Sequence, residues 1–105
     1  GSRPARGLLR GGLVFDLGAR TAACWETVLP LTKSEFAICE LLALHPGQAF
    51  SKEQIYEAVF GYDGAADDSA ITEHIKNIRA KLRAAGADAG AIETVWGIGY
   101  RWRAG

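Results

Sequence analysis

Residues 69–85 read "SAITEHIKNIRAKLRAA", with Gly86 next. Advanced at 100° per residue, Ile71, Ile75, Ile78, Leu82 and Ala85 fall within about 40° of one direction, which predicts an amphipathic helix with a clean apolar stripe. Asp67 or Asp68 is placed to cap its start, and Gly86 ends it. The opposite face holds Ser69, Glu73, Lys76 and Ala80, with Thr72, Asn77, Arg83 and Ala84 slightly aside. Arg79 lies on one flank; His74 and Lys81 lie on the other. A narrow polar ridge with cations at both edges suits a DNA major groove, roughly 12 Å wide, with base edges at its floor and phosphates along each side. Asn77 matches adenine N6 and N7, Lys76 guanine O6 or N7, Thr72 a thymine methyl, and Glu73 cytosine N4. His74, Arg79, Lys81 and Arg83 suit phosphates, which set register without reading sequence. Taken alone, the same helix also reads as a solvated surface helix, and His74 as a boundary histidine.

Working upstream, Thr32-Lys33-Ser34-Glu35 is a capping box that opens a helix carrying Phe36, Cys39, Leu42 and Ala43, with Leu41 and Leu44 widening the stripe. His45-Pro46-Gly47 stops that helix. A second box, Ser51-Lys52-Glu53-Gln54, opens a shorter helix with Ile55, Ala58 and Val59 that ends at Gly61. Before these, residues 8–31 cluster β-formers as Leu13–Phe15, Leu17–Arg20, Thr21–Trp25 and Thr27–Leu31, predicting three or four short antiparallel strands with Gly18 as a turn residue. Downstream, "IETVWGIGYRW" (92–102) is a strand, a glycine-bearing tip and a returning strand. The fold class is therefore α+β: an N-terminal antiparallel sheet, three helices and a C-terminal β-hairpin. Arg101 and Arg103 stand beside Tyr100 and Trp102, a basic two-stranded arm suited to a second groove. Trp102 is expected in the core, and Tyr100 either in the core or at the surface.

The chain has 105 residues, 49% hydrophobic and 23% charged, which is ordinary for one globular domain and argues against disorder or coiled coil. Its net charge of zero is unevenly spread. Residues 1–25 balance at +3, residues 26–68 at −6 and residues 69–105 at +3, so the average hides a basic C-terminal third. The chain contains no methionine, so it is expected to be a piece of a longer protein, with Gly1-Ser2 a cloning remnant, residues 1–7 remnant and linker, and 8–105 the domain. Cys24 and Cys39 form no CxxC pair and are expected as small buried apolar residues in a reducing, cytoplasmic setting. No apolar run approaches a membrane span. No catalytic set, metal-ligand cluster or cofactor motif is present: Gly97-x-Gly99 sits in a hairpin, not a strand–helix turn. The chain is not expected to be an enzyme.

Three stretches, "LTKSEFAICELLALHPGQAFSKEQI", "VFGYDGAADDSAITEHIKNIRAKL" and "ETVWGIGYRW", closely resemble the C-terminal effector domain of OmpR/PhoB-type response regulators, a winged helix-turn-helix family. The resemblance runs from about Leu13 to Trp102. It implies a third helix in the major groove, a wing at 92–103 near the adjacent minor groove, and a second-to-third helix loop that meets RNA polymerase. Carried over position by position, Thr72, Glu73, Lys76 and Asn77 face bases. His74, Arg79, Thr94 and Tyr100 match positions that contact the backbone, Trp96 and Gly97 form the wing tip, and Tyr62, Asp63, Asp67 and Asp68 mark the polymerase loop. From their own places on helix and wing, Ser69, Lys81, Arg83 and Arg101 are expected at the backbone as well. The resemblance further implies promoter direct repeats, a tandem homodimer and a phosphoacceptor receiver domain lying outside these residues.

The sequence departs from the family at telling positions. Asn77 stands where many members have arginine, and Glu73, which repels phosphate, where they have a hydrophobe or small residue. Trp96 stands where an arginine commonly enters the minor groove. Phe60 replaces a frequent tryptophan whose indole N–H meets phosphate, and Ser69-Ala70 thin the contacts at the helix start. These departures predict weak binding by the isolated domain. Two readings follow: a sequence-specific double-stranded-DNA-binding domain of a bacterial transcription regulator, or a winged-helix protein-interaction module with weak or no DNA binding.

Overall fold

Two capping boxes set the helical frame. In the computed structural model, which describes the backbone of residues 7–10 together with residues 12–61 and 69–104, Thr32 Oγ1 accepts from the Glu35 N–H at 3.2 Å while Glu35 Oε1 accepts from the Thr32 N–H at 2.9 Å. Helix α1 spans Lys33–Ala43. Ser51 and Gln54 repeat the arrangement at 3.0 and 2.8 Å and open α2, Lys52–Phe60. Gly61 ends α2 at φ 81°, a conformation that L side chains rarely adopt. Helix α3 spans Ser69–Ala84 and buries Ile71, Ile75, Ile78 and Leu82 almost completely. Each such burial stabilises by about 1.5–3 kcal/mol, so the stripe alone seats the helix.

The N-terminal sheet has four strands in meander order: β1 Gly7–Arg10, β2 Leu13–Asp16, β3 Thr21–Cys24 and β4 Thr27–Val28. Leu17–Arg20 is a turn rather than a further strand and contains Gly18, the expected turn residue; Asp16 Oδ1 accepts from the Ala19 N–H there, and Arg20 carries the positive φ of 59°. The hydrogen bond that the Asp16 carboxylate accepts from the backbone favours the turn over a continued strand. Residues 29–31 likewise lie beyond the last strand.

The C-terminal hairpin pairs β6, Ile92–Val95, with β7, Gly99–Trp102, after a short 3-10 turn at Ala89–Ala91. A strand that the sequence did not suggest, Phe50–Ser51, pairs with the outer edge of β7. We call it β5, the α2-leading strand. It makes the wing a three-stranded sheet, and it explains Gly99: a Cβ there would collide with the Phe50 carbonyl oxygen. The positions Asp67 and Asp68, expected to cap α3, and the loop Tyr62 to Asp68 lie outside the described residues.

Phe15 of β2 packs edge-to-face against Phe36 of α1 and Trp102 of β7, with ring centroids 6.2 and 5.8 Å apart. Trp102 is core as expected, and so is Tyr100. Cys24 and Cys39 are buried and unpaired, and burial, then the Glu35 charge, pushes the Cys39 thiol up to about 12. It stays a thiol and packs as a small apolar group.

Glu35 is 3% exposed and has a second task besides capping. Its Oε1 accepts from Lys81 Nζ at 2.5 Å, and Lys81 also donates to the Pro30 carbonyl at 2.9 Å. Burial raises the Glu35 pKa, but hydrogen bonds from Lys81 and the Thr32 amide, with the charges of Lys81 and His74, outweigh that and hold it below the ordinary 4.5. A carboxyl lowered on folding adds stability above its unfolded value and loses it as pH falls through the folded value. Urea unfolding should therefore show stability declining as pH drops below 4.5, and Glu35→Gln should remove that component. At neutral pH Glu35→Ala should cost about 2–4 kcal/mol, because it deletes a cap and strands the Lys81 charge. An unchanged midpoint would contradict this account.

Candidate nucleic-acid interface

Helix α3 has three sides. The apolar stripe faces the core. The flank bearing His74 and Lys81 faces α1 and α2: Lys81 is tied to Glu35, and the His74 ring stacks on Phe60 at 5.9 Å and 24°. Phe60 in turn lies 4.9 Å from Tyr56, so α2 presents an aromatic platform to the histidine. The Arg79 flank faces the wing. Arg79 Nη2 donates to the Ile92 carbonyl at 2.7 Å and to Thr94 Oγ1 at 3.1 Å, and its guanidinium lies 5.8 Å from the Tyr100 ring centroid.

Two cations expected at phosphates thus have partners within the protein. For Lys81 this is a correction: its ammonium is spent on a buried carboxylate and a carbonyl. For Arg79, one terminal nitrogen anchors the wing, and the remaining guanidinium donors stay available. The reason is shared. A helix seated between other elements touches them along both margins of its apolar stripe, and long side chains at those margins reach the neighbours before they reach solvent.

What remains outward is the ridge Thr72, Glu73, Lys76, Ala80, Arg83 and Ala84, exposed, with Asn77 half-buried beside it and exposed Ser69 at the helix start. Thr72, Lys76, Arg79 and Arg83 line an open groove of about 410 Å³ whose far wall includes Tyr100. Three of the four residues expected to face bases therefore share one exposed surface with Arg83, and Asn77 adjoins it.

The wing differs from the basic arm read in the sequence. Arg101 Nε is paired with Glu93 Oε1 at 2.7 Å, and Arg103 with Asp88. The Asp88 carboxyl is held below the usual range by hydrogen bonds from Arg103 and the Gly90 amide. Facing positions across a hairpin bring such pairs together, Glu93 opposite Arg101 in register. These surface pairs are weak, so the correction concerns the net field of the wing rather than its stability. Thr94 is half-buried, Tyr100 is 6% exposed, and Trp96 and Gly97 form the tip. No signal in the sequence marks the Arg79–Thr94 contact, which spans 15 residues. The 3.6-residue period of helix positions reports which face is polar but not what that face meets.

Arg79→Lys keeps the charge and loses the forked geometry. Amide exchange should accelerate at Thr94 and Val95 with α3 protection retained, and stability should drop by about 1–2 kcal/mol. Unaltered wing protection would show that the contact does not anchor the hairpin.

The family model described as "Transcriptional regulatory protein, C terminal" matches residues 26–102. Transcriptional regulatory protein SpaR of Bacillus subtilis is 46% identical over 91 residues, covering 87% of this chain and 40% of SpaR. The chain thus spans about two-fifths of that relative's length. The solved DNA-binding domain of CpxR from E. coli superposes with a TM-score of 0.80 at 34% identity, covering 93% of this chain and 96% of that one. The Klebsiella pneumoniae RstA DNA-binding domain, solved in complex with the RstA box, gives 0.76 at 26% identity, covering 93% and 97%. With its four-stranded meander, three helices and hairpin wing, the chain belongs to the OmpR/PhoB-type winged-helix family of transcriptional regulatory C-terminal domains.

Proposed function

We propose that this chain is the sequence-reading double-stranded-DNA-binding domain of a bacterial response regulator, with α3 in the major groove. The observation that carries the reading is the shape of α3: both flanks are engaged by the protein, and one polar, groove-sized ridge is left outward. RstA, a structural neighbour at 26% identity, is solved on its own DNA box, which favours DNA over the protein-interaction reading. Within the ridge, Thr72, Glu73, Lys76 and Asn77 read base edges. Arg83, Ser69 and the unspent donors of Arg79 hold phosphates. Glu73 narrows the choice by rejecting bases that offer it no donor.

Among the described residues of α3, Lys76 and Arg83 are the exposed cations without an ion pair, so few phosphates are neutralised per domain. Specific affinity then comes from two linked domains on a direct repeat, where the second binding event is intramolecular. A tandem dimer, a receiver domain elsewhere in the protein and a polymerase contact through the acidic 62–68 loop complete the proposal, placing the protein in the cytoplasm. No helix among the described residues is long and apolar enough to cross a membrane.

Selection from random double-stranded DNA at moderate salt should enrich a direct repeat spaced by about one helical turn. On that operator, Asn77→Ala should relax one base position and cost about 1–3 kcal/mol. Arg83→Ala should weaken all sequences alike and reduce the salt slope by about 1. Failure to enrich any motif, even with a forced dimer, would overturn the proposal.

A further inference from the structure

The wing tip is uncharged and apolar where the rest of the DNA-facing surface is polar. Between Thr94 and Gly99 the chain reads Thr-Val-Trp-Gly-Ile-Gly. Gly97 takes φ 83° and the Ile98 amide donates to the Val95 carbonyl at 2.9 Å, so the hairpin turns tightly. That turn leaves Trp96 89% exposed and Ile98 56% exposed. Neither side chain contributes appreciably to the core, and an indole that covers nothing holds a large apolar area in water.

The tip is nevertheless held firmly. Arg79 bonds Ile92 and Thr94, the α2-leading strand pairs with β7, and Gly99 admits that strand at backbone contact distance. Trp96 lies two residues past Thr94, about 7 Å along a strand. A helix lying in the major groove therefore carries this side chain with it as one body.

Charge decides what such a tip can do. Both arginines of the wing are paired, Arg101 with Glu93 and Arg103 with Asp88. In the cleft of about 390 Å³ between the tip and the start of α2, Lys52 is offset by Glu53. The tip therefore carries little net positive charge, and its exposed surface is apolar.

We propose that Trp96, supported by Ile98, enters the minor groove adjacent to α3 as an apolar wedge and selects deformable base steps there. The inference rests on the DNA-binding reading above. An aromatic edge fits a groove about 6 Å wide, where sugar walls are apolar. Wedges of this kind partly unstack a step, which costs least at the flexible TA and CA/TG steps. Trp96 is then a specificity residue that adds selectivity without adding salt dependence.

The test uses the 105-residue chain carrying Trp25→Phe, so that Trp96 and buried Trp102 are the remaining tryptophans. Its operator is the one enriched by selection. Acrylamide quenching of Trp96 should fall on binding. Trp96→Ala should weaken operator binding about tenfold and flatten preference at the wing-side step, with the salt slope unchanged. Trp96→Phe should restore most of the affinity, whereas Trp96→Arg should raise the slope by about 1. Full quenching in the bound state, or wild-type binding by Trp96→Ala, would overturn the wedge and leave α3 as the reader. Protection on two half-sites but not on one would assign Trp96 to a second copy of the chain, which also overturns it. If no DNA motif is enriched even with a forced dimer, both inferences fall together.

Discussion

Phe15 packed edge-on between Phe36 and Trp102 is the contact on which the rest depends. It brings the N-terminal sheet, α1 and the last strand of the wing to one point. Edge-to-face rings favour a defined angle as well as close approach, so the contact sets direction as well as burial. With β7 fixed there, the α2-leading strand and β6 take their places on either side of it. The wing is then a part of the core's architecture, and its outer end projects from a rigid base.

Around that base, α3 is gripped along two margins by opposite means. On one side a buried carboxylate holds Lys81; on the other a guanidinium holds two strand groups. The first contact engages the whole ammonium of Lys81, whereas the second turns one terminal nitrogen of Arg79 toward the wing. Among the described residues, Lys76 and Arg83 remain on the outward ridge as exposed cations without an ion pair, beside Glu73.

Much of the frame was legible in local sequence. The capping boxes at Thr32 and Ser51 and the apolar stripe of α3 depend on residues three or four apart, and neighbours at that spacing meet in any helix. The N-terminal strands were harder to place. Gly18 lies in the turn as expected, but Arg20 carries the positive φ and Asp16 organises the turn through its side chain. The strand at Phe50–Ser51 has only two residues, too short for alternation to show, and it exists because β7 offers an open edge.

Residue order alone sets which faces are apolar, where helices begin, and which polar groups stand together on α3. These are properties of periodicity and of side chains acting on their own backbone. Tertiary structure decided which of those polar groups are spent within the protein. The helical wheel sets Lys81 and Arg79 on opposite flanks, and only the arrival of Glu35 from 46 positions away and Thr94 from 15 decides that both flanks are engaged. A cation's role is set by the nearest acceptor in space, and the distance to that acceptor exists only once the chain has folded.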